Sequence, residues 1–280
     1  MSDPAVHESF LVHRGLKYFK LALLIVVAAV VAYIWHRPLG APNGGTWLGY
    51  TLGGLSAAIV LWLTWFGVRK RQYALGATRL KAWLSAHVYL GLALVVLTTL
   101  HTGFQVGWNI HTAAYVLVLL TVASGIFGIY VYARYPRLMT ANRAGLTLNG
   151  MMTQIAELDQ EIRESSKHLP QEVSEALLRA AQETCIGGGI FRKLSGRDPA
   201  CPTGKAQRLM ETKYAETGID DPNIGKVIAL LVRKSNLLRR ARRDVQIQAI
   251  LRIWLFFHVP LAVGLLGTLC AHVLAVFFYW

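Results

Sequence analysis

Apolar positions form long unbroken runs before residue 133 and after residue 249, and short periodic stripes in between. A helix crosses a hydrocarbon layer of about 30 Å in roughly 20 residues. Five runs are read as such spans: Leu21 to Trp35, extended at its start by Tyr18 and Phe19, then Trp47 to Phe66, Ala82 to Phe104, Thr112 to Tyr132, and Ile250 to Phe278. Between the last two the pattern changes. Gly150 to Ser166 is polar apart from a helical stripe of Ile155, Leu158 and Ile162. Pro170 to Glu183 predicts a second helix with proline in its first turn. Cys185 to Lys205 carries Gly187, Gly188, Gly189 and two prolines and predicts loop. Ile224 to Arg243 predicts a third helix able to join the last span. The expected fold is all-α, a multi-pass membrane bundle of five transmembrane helices with a helical cytoplasmic insert. Its parts are residues 1–46 (tail and first span), 47–133 (spans two to four), 134–247 (insert) and 248–280 (fifth span).

Composition agrees, with 54% hydrophobic residues and a mean hydropathy of +0.40, more than a soluble domain of this size needs for its core. Charge then orients the spans. Three Lys and Arg precede the first span, five fall between Arg69 and Lys81, none between Phe104 and His111, twenty from Arg134 to Arg252, and none after it. The positive-inside rule predicts a cytoplasmic N-terminus and an extracytoplasmic C-terminus, in a bacterial inner membrane. The net charge of +14 is thereby a topology signal, and no nucleic-acid partner is expected. Arg14, Lys17 and Lys20 before an apolar run resemble the start of a signal peptide, but no small-residue cleavage site follows, which predicts an uncleaved anchor. Arg239, Arg240, Arg242 and Arg243 are expected to anchor anionic lipid, or else to form a docking face for an electron-transfer partner. Cys185 and Cys201 in the insert and Cys270 in the last span predict no disulfide framework; ordinary reduced thiols are a simpler reading of the first two than zinc or cluster ligands. The glycine run lacks the G-x-x-x-x-G-K-[ST] pattern of a phosphate cradle.

Ionisable groups inside a span are costly and mark candidate function. Four histidines stand there in two pairs of equal separation, His87 with His101 and His258 with His272. Fourteen residues return to nearly the same helix face and span about 21 Å. The third and fifth spans run the same way, so His87 comes level with His258, and His101 with His272. Two imidazoles per level suit haem iron, which takes two axial ligands, better than zinc, which takes three or four. No methionine lies in the five spans, so bis-histidine ligation is the simplest completion. Gly91 follows His87 by one turn on the same face and is a candidate for close approach of the macrocycle, although small residues also serve helix packing. Gly53 and Gly67 are themselves fourteen apart, and Gly49 with Gly53 spells a GxxxG motif. Pro260 is expected to kink the last helix.

On these residues, in H-V-Y-L-G-L-A-L-V-V-L-T-T-L-H and H-V-P-L-A-V-G-L-L-G-T-L-C-A-H, the chain resembles the two-haem membrane b-type cytochromes. That superfamily takes in the cytochrome b subunits of quinol:cytochrome c oxidoreductases and the ferric-reductase-like transmembrane domains. The resemblance covers the four spans from Trp47 onward and implies a four-helix core holding two haem b groups, the inner between His87 and His258 and the outer between His101 and His272. The chain departs from the pattern in having no flavin or NAD domain after the last span, no bc-type quinol signature, and an insert of more than a hundred residues.

The expected role is electron transfer across the membrane, as a subunit of an oxidoreductase rather than a stand-alone enzyme. It would run between a quinone pool or cytoplasmic donor and an outside acceptor, with membrane lipid and redox proteins at the insert or the external face as partners. Direct reduction of external ferric iron or oxygen is one alternative; a transporter or sensor with polar pathway histidines is another. Arg79, Lys81 and Arg252 are placed to neutralise inner-haem propionates or to reach lipid headgroups. His111, at the external mouth of the fourth span, is a candidate to bond a propionate, bind quinone or release protons, or simply an interfacial histidine. His7, His13, His36 and His168 lie outside the spans, where nothing supports ligation. No acidic residue lies in any span, so no carboxylate proton relay is expected.

Overall fold

The computed structural model describes residues 10–38, 40–71, 77–143, 145–167, 169–217 and 222–278, the side chains of 68, 70, 71, 77–79, 136, 137, 141, 216, 217 and 222 aside. His7 and His168 and the side chain of Arg79 lie outside the described residues. All regular structure among them is helical. After a short 3-10 turn at Phe10–Val12 come α1 (His13–Trp35), α2 (Trp47–Arg71), α3 (Ala77–Thr102), α4 (Ile110–Arg143), α5 (Leu148–Ser165), α6 (Gln171–Gln182), α7 (Ile190–Ser195), α8 (Pro202–Thr217) and α9 (Pro222–Phe278). By length and composition α1, α2, α3, α4 and α9 can each cross a membrane. Large apolar side chains point outward along them, Leu24, Trp65, Phe127, Phe256 and Val263 among them, as lipid-facing surface requires. The chain divides into two compact units, Met1–Ala133 with Trp254–Trp280, and Arg134–Ile253.

In the first unit α1, α2 and α3 pack closely on one another. The core joins Ala29 of α1, Leu52, Ile59 and Val60 of α2, Leu94 and Leu97 of α3, Val118 of α4 and Leu265 of α9. Arg14, Gly15 and Leu16 adopt left-handed backbone angles, with φ of 49, 63 and 62°, so regular helix begins only after them. Thr102 ends α3 because Gly103 turns left-handed, φ +60°, a usual helix C-terminus. A side chain there would collide with the Pro42 carbonyl. The helix thus stops one residue after His101, two short of the predicted end. Pro260 sits within α9, which continues to Phe278.

The second unit is built on the expected stripe. Ile155, Leu158 and Ile162 are buried, joined by Met151 one turn earlier, and pack with Val173 and Leu177 of α6, Ala206 and Met210 of α8, and Val227, Leu231 and Leu238 of α9. Thr147 caps α5 by accepting from the Gly150 N–H at 3.0 Å. Lys234 is fully buried and donates to Asp159 at 2.5 Å and to the Ala180 carbonyl at 2.8 Å. The predicted loop is only partly loop. It contains α7 and the first turns of α8, which starts on Pro202, a favoured first helical residue. The predicted third helix and the last span fall in one helix, α9, of 57 residues.

Candidate functional site

The four paired histidines lie in one unit, and at one level two of them approach each other. Near the end of α3, His101 approaches His272 of α9, with ring centroids 6.0 Å apart and planes nearly perpendicular. Fourteen residues back along both helices, His87 and His258 lie within electrostatic reach of each other. Between the two levels stand Leu94 and Leu265, each seven residues from its inner histidine and 2% and 5% exposed.

Hydrogen bonds at the second ring nitrogen decide what the first can do. His101 Nδ1 lies 2.8 Å from the Gly49 carbonyl. A carbonyl can only accept, so Nδ1 carries the proton and Nε2 keeps its lone pair. His258 Nδ1 lies 2.7 Å from the Ser124 hydroxyl, whose own proton goes to the Thr121 carbonyl at 2.8 Å. Ser124 therefore accepts from His258, and again Nε2 is left basic. His272 Nδ1 shares a proton with His111 Nδ1 across 2.6 Å, the rings 4.6 Å apart and perpendicular. His87 differs: its Nδ1 is buried with no partner among the described residues, and its ring leans on Phe66 at 5.1 Å.

The remaining candidates fall into place around this set. His111, expected at the outer mouth, is the direct neighbour of His272. Gly91 faces Leu63 of α2, where an added Cβ would make an ordinary 4.0 Å contact. Gly53 and Gly44 make room for the His101 ring: an added Cβ would stand 2.7 Å from His101 Cε1 at Gly53 and 3.1 Å from it at Gly44. Gly67 has open space around it. Lys81 is half-buried and Arg252 exposed; neither pairs with a described carboxylate. Among the described residues no three or more His, Cys, Asp or Glu converge as a metal-holding set.

Two contributors escaped the sequence reading. Trp254 stacks on His258 with centroids 5.2 Å apart, and its Nε1–H donates to the Ser124 carbonyl at 2.8 Å. Gly128 makes room for it, since a side chain there would collide with the indole. A signal for Trp254 exists. Lys81, Trp83, Leu84 and His87 align with Arg252, Trp254, Leu255 and His258, and the match continues through Val88 with Val259, Leu90 with Leu261, Leu94 with Leu265 and His101 with His272. The two tryptophans diverge in use, Trp83 stacking on Trp62 at 4.6 Å instead. Ser124 left no trace, because a serine in a span ordinarily bonds its own helix.

The insert corrects one expectation. Arg242 is not turned to lipid: its Nη2 donates to the Cys185 carbonyl at 3.0 Å, to Cys201 Sγ at 3.1 Å and to Asp198 at 3.3 Å. Arg239, Arg240 and Arg243 are exposed. Burial alone would push the Cys201 thiol up, but the Arg242 hydrogen bond, with help from the backbone at Gly204 and Thr203, outweighs it and holds the thiol below its usual 9.0. Comparison of the chain with protein-family models, curated proteins and solved structures finds no match.

Proposed function

We propose that this protein is a di-haem membrane cytochrome that carries electrons across the bilayer, as a subunit working between a quinone or cytoplasmic donor and an extracytoplasmic acceptor. The observation that carries the reading is the pairing of imidazoles at two heights of one bundle, with the Nδ1 protons of His101 and His258 committed elsewhere. A ligating histidine needs this arrangement, because a partner at the distal N–H fixes the tautomer and the ring and raises the basicity of the ligating nitrogen.

Two further features support the group. The inner level offers two imidazoles, His87 and His258, and the outer level three, His101, His272 and the His111 bonded to it, where axial haem coordination takes two. Gly53 and Gly44 leave the His101 ring a cradle that any side chain would fill.

His87 and His258 would hold the inner haem, His101 and His272 the outer, each supplying when bound a one-electron couple within low-dielectric surroundings. The chain's own residues orient and insulate. Ser124 and Trp254 lock His258, the Gly49 carbonyl locks His101, and His111 fixes the His272 ring through the hydrogen bond between their Nδ1 atoms. Leu94, Leu97 and Leu265 keep water from the layer between the levels. The charge asymmetry of the loops supports placing the insert on the cytoplasmic side.

A reduced-minus-oxidised spectrum of the purified protein, with haem quantified, tests the proposal. Two low-spin b haems per chain are expected, and His101→Ala and His258→Ala should each lose one of them. A preparation free of haem, or variants that lose none, would overturn the ligand assignment and favour a non-redox role for the histidines.

A further inference from the structure

The six residues of α7 present an unusual surface within the second unit. Ile190 and Phe191 are 56% and 85% exposed, next to the cations Arg192 and Lys193. The helix is not free to turn them inward. Its end is pinned to α9 where Gln246 donates to the Leu194 carbonyl at 2.6 Å. Gly196 follows with a left-handed φ of +63°, in a spot where a Cβ would stand 2.8 Å from Gln246 Oε1. Ile190 and Lys193 line one cavity of about 270 Å3 with Gln248, Arg252 and Ile253 of α9.

That stretch of α9 has a known chemical setting. Arg252 is the last charged residue of the sequence. It precedes His258 by about 9 Å of helix, which puts it at the boundary where the apolar part of α9 begins. An apolar pair beside cations at such a boundary is the composition of an interfacial membrane contact. Arg192 is engaged by Asp198 at 3.7 Å, whereas Lys193 and Arg252 form no ion pair with a described carboxylate. Two cations in one cavity without a described carboxylate partner complement a phosphate diester, while the Gln248 amide beside them donates to Asp244 at 2.9 Å.

We infer that α7 and the Arg252 turn of α9 form a binding site for one anionic phospholipid of the cytoplasmic leaflet. Lys193 and Arg252 hold the headgroup phosphate, and Ile190 and Phe191 enter the acyl boundary. The inference rests on the membrane placement proposed above and not on the haems. It moves lipid anchoring from the arginine run at 239–243, where Arg242 is occupied internally, to α7.

Native mass spectrometry of the full-length protein in detergent tests it, with phosphatidylglycerol, phosphatidylcholine and inorganic phosphate as probes. Wild type should retain phosphatidylglycerol over phosphatidylcholine, and inorganic phosphate should not displace it, since phosphate lacks the acyl chains. K193Q/R252Q should weaken phosphatidylglycerol binding by roughly fivefold for each cation removed and abolish the preference. F191S should weaken both lipids, and R239Q/R240Q/R243Q should leave the preference intact. Equal retention of the two lipids by wild type, or a preference lost in the triple variant and kept in K193Q/R252Q, would overturn the inference. The haem spectrum of the same preparation reports separately on the proposed function.

Discussion

Ser124 does more than a serine in a span usually does. It passes its proton to its own helix and takes the His258 Nδ1 proton in exchange, while its carbonyl holds the indole stacked on the same ring. Ser124→Ala should make the His258 imidazole a poorer donor to iron. The inner haem should then titrate at a higher potential and be retained roughly tenfold less tightly, while the outer component of a potentiometric titration stays in place. Gly53→Val should act at the other level. Its side chain would enter the space of the His101 ring, so haem content should fall from two per chain toward one. Gly54→Ala, which meets nothing within 4 Å, serves as control and should keep both. The paired histidines stood out in the sequence because an imidazole has few reasons to sit in an apolar run and spacing fixes its height. Ser124, Gly44 and the Gly49 carbonyl were not, since each acts across the bundle from a helix or loop whose rotation no local pattern sets.

Helices of the insert were read well where one face is apolar and poorly where it is not. The α5 stripe predicted its own burial, and the α6 boundaries shifted by a single residue at each end. Of the two missed helices, α7 has only six residues, and α8 has a weakly amphipathic sequence opened by Pro202 and interrupted early by Gly204, so tertiary packing of Ala206 and Met210 decides its state. The ion pair between buried Lys234 of α9 and Asp159 of α5 makes a sharp prediction. Lys234→Met should destabilise the insert by about 3 kcal/mol, the lower end for breaking a buried ion pair because Asp159 keeps some exposure. Adding Asp159→Leu should recover much of that loss in denaturant melts. The lowered Cys201 thiol predicts a pH dependence with a definite sign. Folding favours the thiolate, so its contribution is complete above the unfolded value of 9.0 and is lost as pH falls through the folded one. Stability should therefore rise with pH across that window. Cys201→Ser should flatten the profile, and Arg242→Gln should move the thiolate absorbance near the ultraviolet edge to higher pH.

For the molecule entire, the membrane character was legible from hydropathy alone, and the continuous 57-residue α9 realises the joint that the sequence only permitted. The proposed orientation is checked by thiol labelling. Cys185 is exposed in the insert, so a membrane-impermeant maleimide should modify it in inside-out vesicles and not in right-side-out ones. A cysteine at Trp108, in the exposed loop before α4, should behave in the opposite way. Finally, Leu94, Leu97, Val118 and Leu265 fill the core near the histidine levels, and no acidic residue lies in any span, so no carboxylate carries a proton alongside an electron. Each electron moved on the proposed route would thus be an uncompensated charge working against the membrane voltage, at about 2.3 kcal/mol per 100 mV. Turnover in sealed vesicles should polarise them, and the resulting back-pressure should throttle the rate until an ionophore discharges it.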